Sequence, residues 1–156
     1  MTNNDILRSI RYTFDFSDSK MISLFALADQ VVTRAQVSDW LKREDDPAYQ
    51  ECEDVLLATF LNGLINDKRG KQEGDQPIPE DRVSNNIVLR KLKIALDLKA
   101  DDILALLESA DFPISKHELS ALFRKADHKH FRHCNDQILR NFLKGLQLKY
   151  RAQDET

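Results

Sequence analysis

The chain has 156 residues, of which 42% are hydrophobic and 31% charged, with a net charge of −3, four glycines and four prolines. That length suits one domain of ordinary size or two small ones, and the composition argues against collagen-like, low-complexity and many-turned β architectures in favour of long helices. No apolar run reaches the roughly 18 residues of a membrane span, and the opening MTNNDILRSIR lacks the pattern of a secretory leader, so a cytoplasmic protein with no membrane association is expected.

Taken in chain order, the predicted elements come twice. Residues 3–65 match residues 85–147 at a constant offset of 82, with 17 identities in 63 ungapped positions; unrelated sequences would share roughly 4, so the chain is a tandem duplication. Each repeat reads as four helices. The first is expected to start behind an asparagine pair, Asn3-Asn4 or Asn85-Asn86, whose side-chain amides can accept from free helical N–H groups, and it shows Leu7, Ile10 and Phe14 or Leu89, Leu92 and Leu96 on one face. The second carries Met21, Leu24, Phe25 and Ala28, echoed by Ile103, Leu106, Leu107 and Ala110. The third opens on the capping boxes Thr33 with Gln36 and Ser115 with Glu118, and turns Val37, Trp40 and Leu41 or Leu119, Leu122 and Phe123 to the core. The fourth has the stripe Leu57, Phe60, Leu61, Leu64, or Leu139, Phe142, Leu143, Leu146; its repeated Gly63 and Gly145 suggest a close helix contact, with a tolerated surface glycine as the alternative. The expected organisation is repeat 1 over 1–66, a polar linker over 67–84, repeat 2 over 85–150 and a tail over 151–156. The expected fold class is all-α, about eight helices with pseudo-twofold symmetry, the repeats packing by matching apolar faces.

The doubled pattern D-x3-[FY]-x2-C-x-D-x2-L-x2-F-L-x-G-L, with NN-x2-LR opening each half and KRED, FLNGLI, KRGK and DHK in order, resembles the YehS-like bacterial proteins, the family called domain of unknown function 1456. The resemblance covers essentially the whole chain. It implies a small cytoplasmic bacterial protein made of two copies of one domain, and it carries over no catalytic residues. The repeat motif itself, Asn3, Asn4, Cys52, Asp54, Phe60 and Gly63 with Asn85, Asn86, Cys134, Asp136, Phe142 and Gly145, reads as structural.

The modest net charge conceals a division. Residues 3–65 hold 6 cations against 11 carboxylates, whereas residues 85–147 hold 11 against 8, together with all four histidines. Lys116, Arg124, Lys125, Lys129 and Arg132 join the histidines, His117 among them, around Phe123 and Phe131, and with Arg90 and Lys93, basic in both repeats as Arg8 and Arg11, they read either as a surface for an anion or nucleic acid or as a solvated face. Arg34 and Lys116, at the amino end of the third helix, sit where the helix dipole disfavours a cation, which hints at an anionic contact. Arg8 reads equally as a ligand contact or as the partner of a carboxylate. The stretch LADQVVTRAQVSDWLKRED also looks like a helix-turn-helix, in which Arg34, Gln36, Ser38 and Asp39, or Lys116, His117, Ser120 and Arg124, would face a DNA groove.

Cys52 and Cys134 are too few for a disulfide scaffold; they read as small buried residues, or as redox-sensitive thiols if the sulfur faces free helical N–H groups. His128, His130, His133 and Cys134 have no standard zinc spacing and no counterparts in repeat 1 beyond the cysteine, so no metal and no cofactor are expected. No phosphate-cradling glycine loop or nucleophile elbow is present. The reading that results is a non-enzymatic binding or adaptor module for a protein or RNA-containing partner, with helix-turn-helix DNA binding as the alternative and an enzyme as the weakest class. Oligomeric state is not encoded legibly.

Overall fold

The computed structural model describes residues 1–154, with side chains to residue 151. Among the described residues there are eight helices and no strand: α1 (Asn3–Phe14), α2 (Asp18–Leu27), α3 (Arg34–Leu41), α4 (Asp54–Arg69), α5 (Asn85–Ala95), α6 (Ala100–Ser109), α7 (Lys116–Leu122) and α8 (Asp136–Asp154). They form two compact units, Met1–Val83 and the chain from Ser84 onward. The fold is an all-α tandem duplication.

Helix starts follow local chemistry, with one correction. Thr33 with Gln36 and Ser115 with Glu118 close the reciprocal capping boxes read from the sequence. The asparagine pairs, by contrast, do not cap: Thr2 and Ser84 do, their hydroxyls accepting from the N–H groups of Asp5 and Ile87, and Asn3, Asn4, Asn85 and Asn86 lie inside the first turn. Their amides are spent on tertiary bonds instead. Helix stops use aspartate: Asp15, Asp29, Asp97 and Asp111 adopt φ of 53°, 61°, 52° and 58° in the left-handed region. Asp tolerates that region better than most residues, so the turns do without glycine.

Each unit closes around its own core. In unit 1, α2 packs along α4, and Phe25 meets Trp40 at 5.5 Å and Phe60 at 5.3 Å between ring centroids, with Leu7, Ile10, Met21, Val37, Leu57, Leu61 and Leu64 buried around them. In unit 2, α6 packs along α8, and Leu107, Leu122 and Phe142 take the matching places among Leu89, Leu92, Ile103, Leu119 and Leu146. Gly63 and Gly145 are the crossing points of these helix pairs, each against a backbone carbonyl of the partner helix, which settles them as close-contact glycines.

The segment between the repeats is attached to unit 1. Helix α4 runs three residues into it, to Arg69; Lys71 then pairs with Asp29 at 2.7 Å, Gln76 accepts from Asn66 at 3.0 Å, and the Val83 N–H donates to Asp54 Oδ2 at 2.8 Å. At the other end, α8 continues through 151–154 of the segment read as a tail, and residues 155–156 lie outside the described residues.

Candidate functional site

The duplicated asparagine organises the loop that carries most of the charge difference. In unit 1, Asn4 is fully buried; its Nδ2 donates to the carbonyls of Trp40 (2.9 Å) and Gln50 (2.8 Å), and its Oδ1 accepts from the Cys52 N–H (2.9 Å). Asn86 repeats this with Leu122 (3.0 Å), Arg132 (2.9 Å) and Cys134 (2.9 Å). Asn3 and Asn85 add bonds to the carbonyls of Cys52 and Cys134 and to Asp54 and Asp136, which open α4 and α8. Within the loops, the Gln50 and Arg132 N–H groups donate to the carbonyls of Asp39 and Ala121, and Tyr49 and Phe131 to those of Asp46 and His128. The backbone frame is therefore the same in both units. Even a side-chain bond survives replacement: Asp46 accepts from the Ala48 N–H at 2.9 Å, and His128 Nδ1 accepts from the His130 N–H at 3.0 Å in its place.

On this shared frame the charges are opposite. Residues 42–53 hold two cations against five carboxylates; residues 124–135 hold four against one. This loop alone supplies six of the eight charges by which the repeats differ. Burial, with the carboxylates Glu44, Glu51 and Asp5 adding to it, pushes the Tyr49 phenol above its ordinary pKa; unit 2 carries Phe131 at that place.

A groove lies between the first helix and this loop in both units. In unit 1 its volume is about 310 Å³ and its walls are Asp5, Arg8, Arg43, Glu44 and Asp45. Arg8 is fully engaged there, paired with Asp5 and donating to the Lys42 carbonyl at 2.9 Å, and Lys42 itself pairs with Asp39 at 2.7 Å. In unit 2 the groove measures about 300 Å³ and is lined by Ser84, Asn86, Ile87, Arg90, Lys125, Ala126 and Phe131. Position by position, Asp5 has become Ile87, Glu44 has become Ala126 and Asp39 has become Ala121, while the cations Arg8, Arg43 and Lys42 persist as Arg90, Lys125 and Arg124. Asp127 matches Asp45 but does not line the groove. Arg90 and Lys125 have no carboxylate partner among the described residues, and Arg124 Nε is buried with no hydrogen-bond partner.

The other cations singled out in the sequence do not join this group. Lys116 stands at the start of α7, 3.5 Å from Asp101, as Arg34 stands 3.8 Å from Asp18 and 3.2 Å from Ser19. Each thus has a carboxylate of its own unit within ion-pair distance. Arg132 reaches Glu118 at 3.5 Å, Lys93 lies over the Phe123 ring at 5.7 Å, and His117 and Lys129 are exposed. Lys116 and His117 open α7 whereas Arg124 lies two residues beyond its end, so the residues expected to share a groove-facing surface stand at opposite ends of the helix. Ile87 and Ala126 escaped sequence reasoning because apolar residues carry no obvious chemistry; subtracting one repeat from the other reveals them.

The cysteines take the structural role. Cys52 and Cys134 are 1% and 5% exposed. Burial, with Asp54 and Glu53 adding to it, pushes the Cys52 thiol up to about 12, and burial with Asp136 pushes Cys134 up to about 11. Buried thiols that stay protonated are poor nucleophiles, which weighs against the redox-sensitive reading. Among the described residues no group of three or more His, Cys, Asp or Glu side chains is placed to hold a metal, and no helix is long and apolar enough to cross a membrane.

The sequence model of the family described as "Protein of unknown function (DUF1456)" matches residues 3–70 and again residues 85–152. The Uncharacterized protein YehS of Escherichia coli (strain K12) is 48% identical over 147 residues, spanning 94% of this chain and 94% of that protein. No solved structure matches the chain.

Proposed function

The chain belongs to the DUF1456 family, and we propose that it works as a non-enzymatic binding module whose second unit engages an RNA-containing partner through the cationic groove. One observation carries the reading: three cations are kept on an unchanged backbone frame while the three carboxylates matched to their surroundings in unit 1 are gone. A cation paired within its own unit has little left to offer a ligand; one without a partner attracts phosphate strongly and in a salt-dependent way. Cations beside a half-buried aromatic ring, here Phe131, are the combination with which single-stranded nucleic acid is held: charge for the backbone and a ring face for the bases. The two buried free thiols suit a reducing, cytoplasmic setting.

DNA reading by α7 is the less favoured alternative. The helix has seven residues, and Glu118 on its exposed face is held by the Ser115 cap and Arg132, placing a carboxylate where base edges and phosphates would come.

The test grafts unit 1 chemistry onto unit 2 without removing a cation. In the full chain, Ile87→Asp with Ala121→Asp and Ala126→Glu should weaken binding of a labelled single-stranded RNA more than tenfold, while Lys116→Ala with His117→Ala should change it less than twofold. Affinity purification with and without ribonuclease supplies the second arm. A graft variant that binds as well as the parent, or a defined protein partner recovered equally after ribonuclease, overturns the proposal.

A further inference from the structure

We infer that the groove of unit 2 is a pocket for one nucleotide of the bound strand, with the phosphate held by Arg90 and Lys125 and the base laid against Phe131. This rests on the RNA reading above and goes beyond it, since a basic surface can bind RNA without any base pocket.

The lining is what separates the two. Relieving the negative charge of the unit 1 groove needs only neutral side chains, and Asn or Gln in place of Asp5 and Glu44 would do it. The chain has instead Ile87 and Ala126, and Tyr49 has lost its hydroxyl to become Phe131. Each change removes a charge or a hydroxyl and leaves only hydrocarbon at the position, so the groove combines two cations with a largely hydrocarbon interior. A phosphate can be held by charge alone without apolar walls, whereas a base must leave water to stack and is stabilised by them. At about 300 Å³ the cavity lies at the small end of ligand pockets, a scale suited to one nucleotide and not to a duplex.

The ring is also held ready. The Phe131 N–H donates to the His128 carbonyl at 2.9 Å, and its neighbour Arg132 is pinned on both sides, donating from its N–H to Ala121 at 3.1 Å and accepting from Asn86 at 2.9 Å. Phe131 meets the His133 ring in a T-shaped arrangement at 4.8 Å. A ring fixed before the ligand arrives costs less ordering entropy on binding. Beside Lys125 in the chain, Arg124 keeps a buried Nε donor without an acceptor, a situation that costs free energy until an acceptor is supplied.

The experiment measures binding of a labelled ten-residue single-stranded RNA to the full chain over a range of salt, with adenosine 5′-monophosphate and inorganic phosphate as competitors. Phe131→Ala should weaken RNA binding five- to twentyfold and leave the dependence of log K on log salt unchanged, and Phe131→Trp should restore it. Arg90→Ala with Lys125→Ala should instead flatten that dependence, by a slope of about 1.4 for two lost contacts to a single strand. Adenosine 5′-monophosphate should compete more strongly than inorganic phosphate, and both far more weakly than the oligomer. If Phe131→Ala and Phe131→Trp bind like the parent while the double cation variant fails, the nucleotide pocket is overturned and the RNA reading stands. If adenosine 5′-monophosphate binds as tightly as the oligomer, the pocket stands and the RNA reading falls. If none of these variants alters binding, both fall.

Discussion

Gly63 in α4 sits so close to Leu24 in α2 that a Cβ added to it would stand 2.7 Å from the Leu24 carbonyl carbon, and Gly145 stands in the same relation to Leu106, at 2.8 Å. Alanine at either position gains about 1 kcal/mol of helix propensity. It also drives a methyl group into backbone that cannot rotate away, and overpacking of that kind costs about 1–3 kcal/mol or more. Gly63→Ala and Gly145→Ala are therefore expected to be net destabilising, each in its own unit, as a lower urea midpoint. A midpoint that rises would show that the helices part without cost.

Asn4→Ala and Asn86→Ala should be strongly destabilising, since both side chains are buried. Each removes three bonds and strands two carbonyls and one N–H, so about 2–4 kcal/mol is expected from the net worth of such bonds and the cost of unmet buried groups. Asn3→Ala, which removes two partly exposed bonds, should cost less. Denaturant titration of the three variants side by side checks the order.

Alkali should destabilise the protein through its thiols. Cys52 and Cys134 stay protonated up to about 12 and about 11 when folded, against an ordinary 9.0, so between those limits the folded chain binds more protons than the unfolded one. Stability attributable to the thiols is complete below pH 9 and declines as pH rises through the folded values. Stability curves from pH 8 to 11 should therefore slope less steeply for Cys52→Ala with Cys134→Ala than for the parent. Ellman's reagent at pH 8 should label the parent only after denaturation.

At low pH the capping carboxylates should give way. Burial raises the Asp5 pKa, but hydrogen bonds from Thr2 and Arg8 outweigh it and leave the value below 3.8; the Ser115 N–H and hydroxyl hold Glu118 below 4.5. Both groups contribute stability above their unfolded values and lose it as pH falls through the folded ones. Asp5→Asn and Glu118→Gln should each flatten the acid limb of the stability curve below about pH 4.5, measured by circular dichroism during thermal melting.

The converse of the graft onto unit 2 tests sufficiency. Asp5→Ile and Asp39→Ala release Arg8 and Lys42 from their carboxylate partners, Glu44→Ala removes a negative charge from the groove that Arg43 lines, and the three together should add RNA affinity to a chain whose unit 2 groove has been neutralised. Losing Asp5 from its capping box should cost about 1 kcal/mol of α1 stability, visible in the same melts.

Much of the fold was legible because the chain states it twice. The offset of 82 fixed four helices per unit, and the hydroxyl caps at Thr33 and Ser115 placed the third helix to the residue. The asparagine pair was misread for a physical reason: an amide near a helix start is locally indistinguishable from a cap, and its true partners are 36 to 51 residues away. Aspartate at positive φ explains a second silence, since a turn signalled by Asp15 or Asp97 lacks the glycine that normally announces it. Of the candidate site, the cations were visible and their grouping was not. Arg132 and Lys116 are drawn to carboxylates that only folding brings near, and the walls Ile87 and Ala126 look like ordinary apolar residues until Asp5 and Glu44 are set beside them.

The identical asparagine frames have a consequence for anything dissolved around the molecule. A phosphate in solution meets, on every chain and in equal number, one concavity that is neutralised and one that is not, with the same backbone bonds behind each. Temperature, ionic strength and protein concentration are common to both. Whatever preference the phosphate displays between them belongs to a handful of side chains, so the protein carries its own blank.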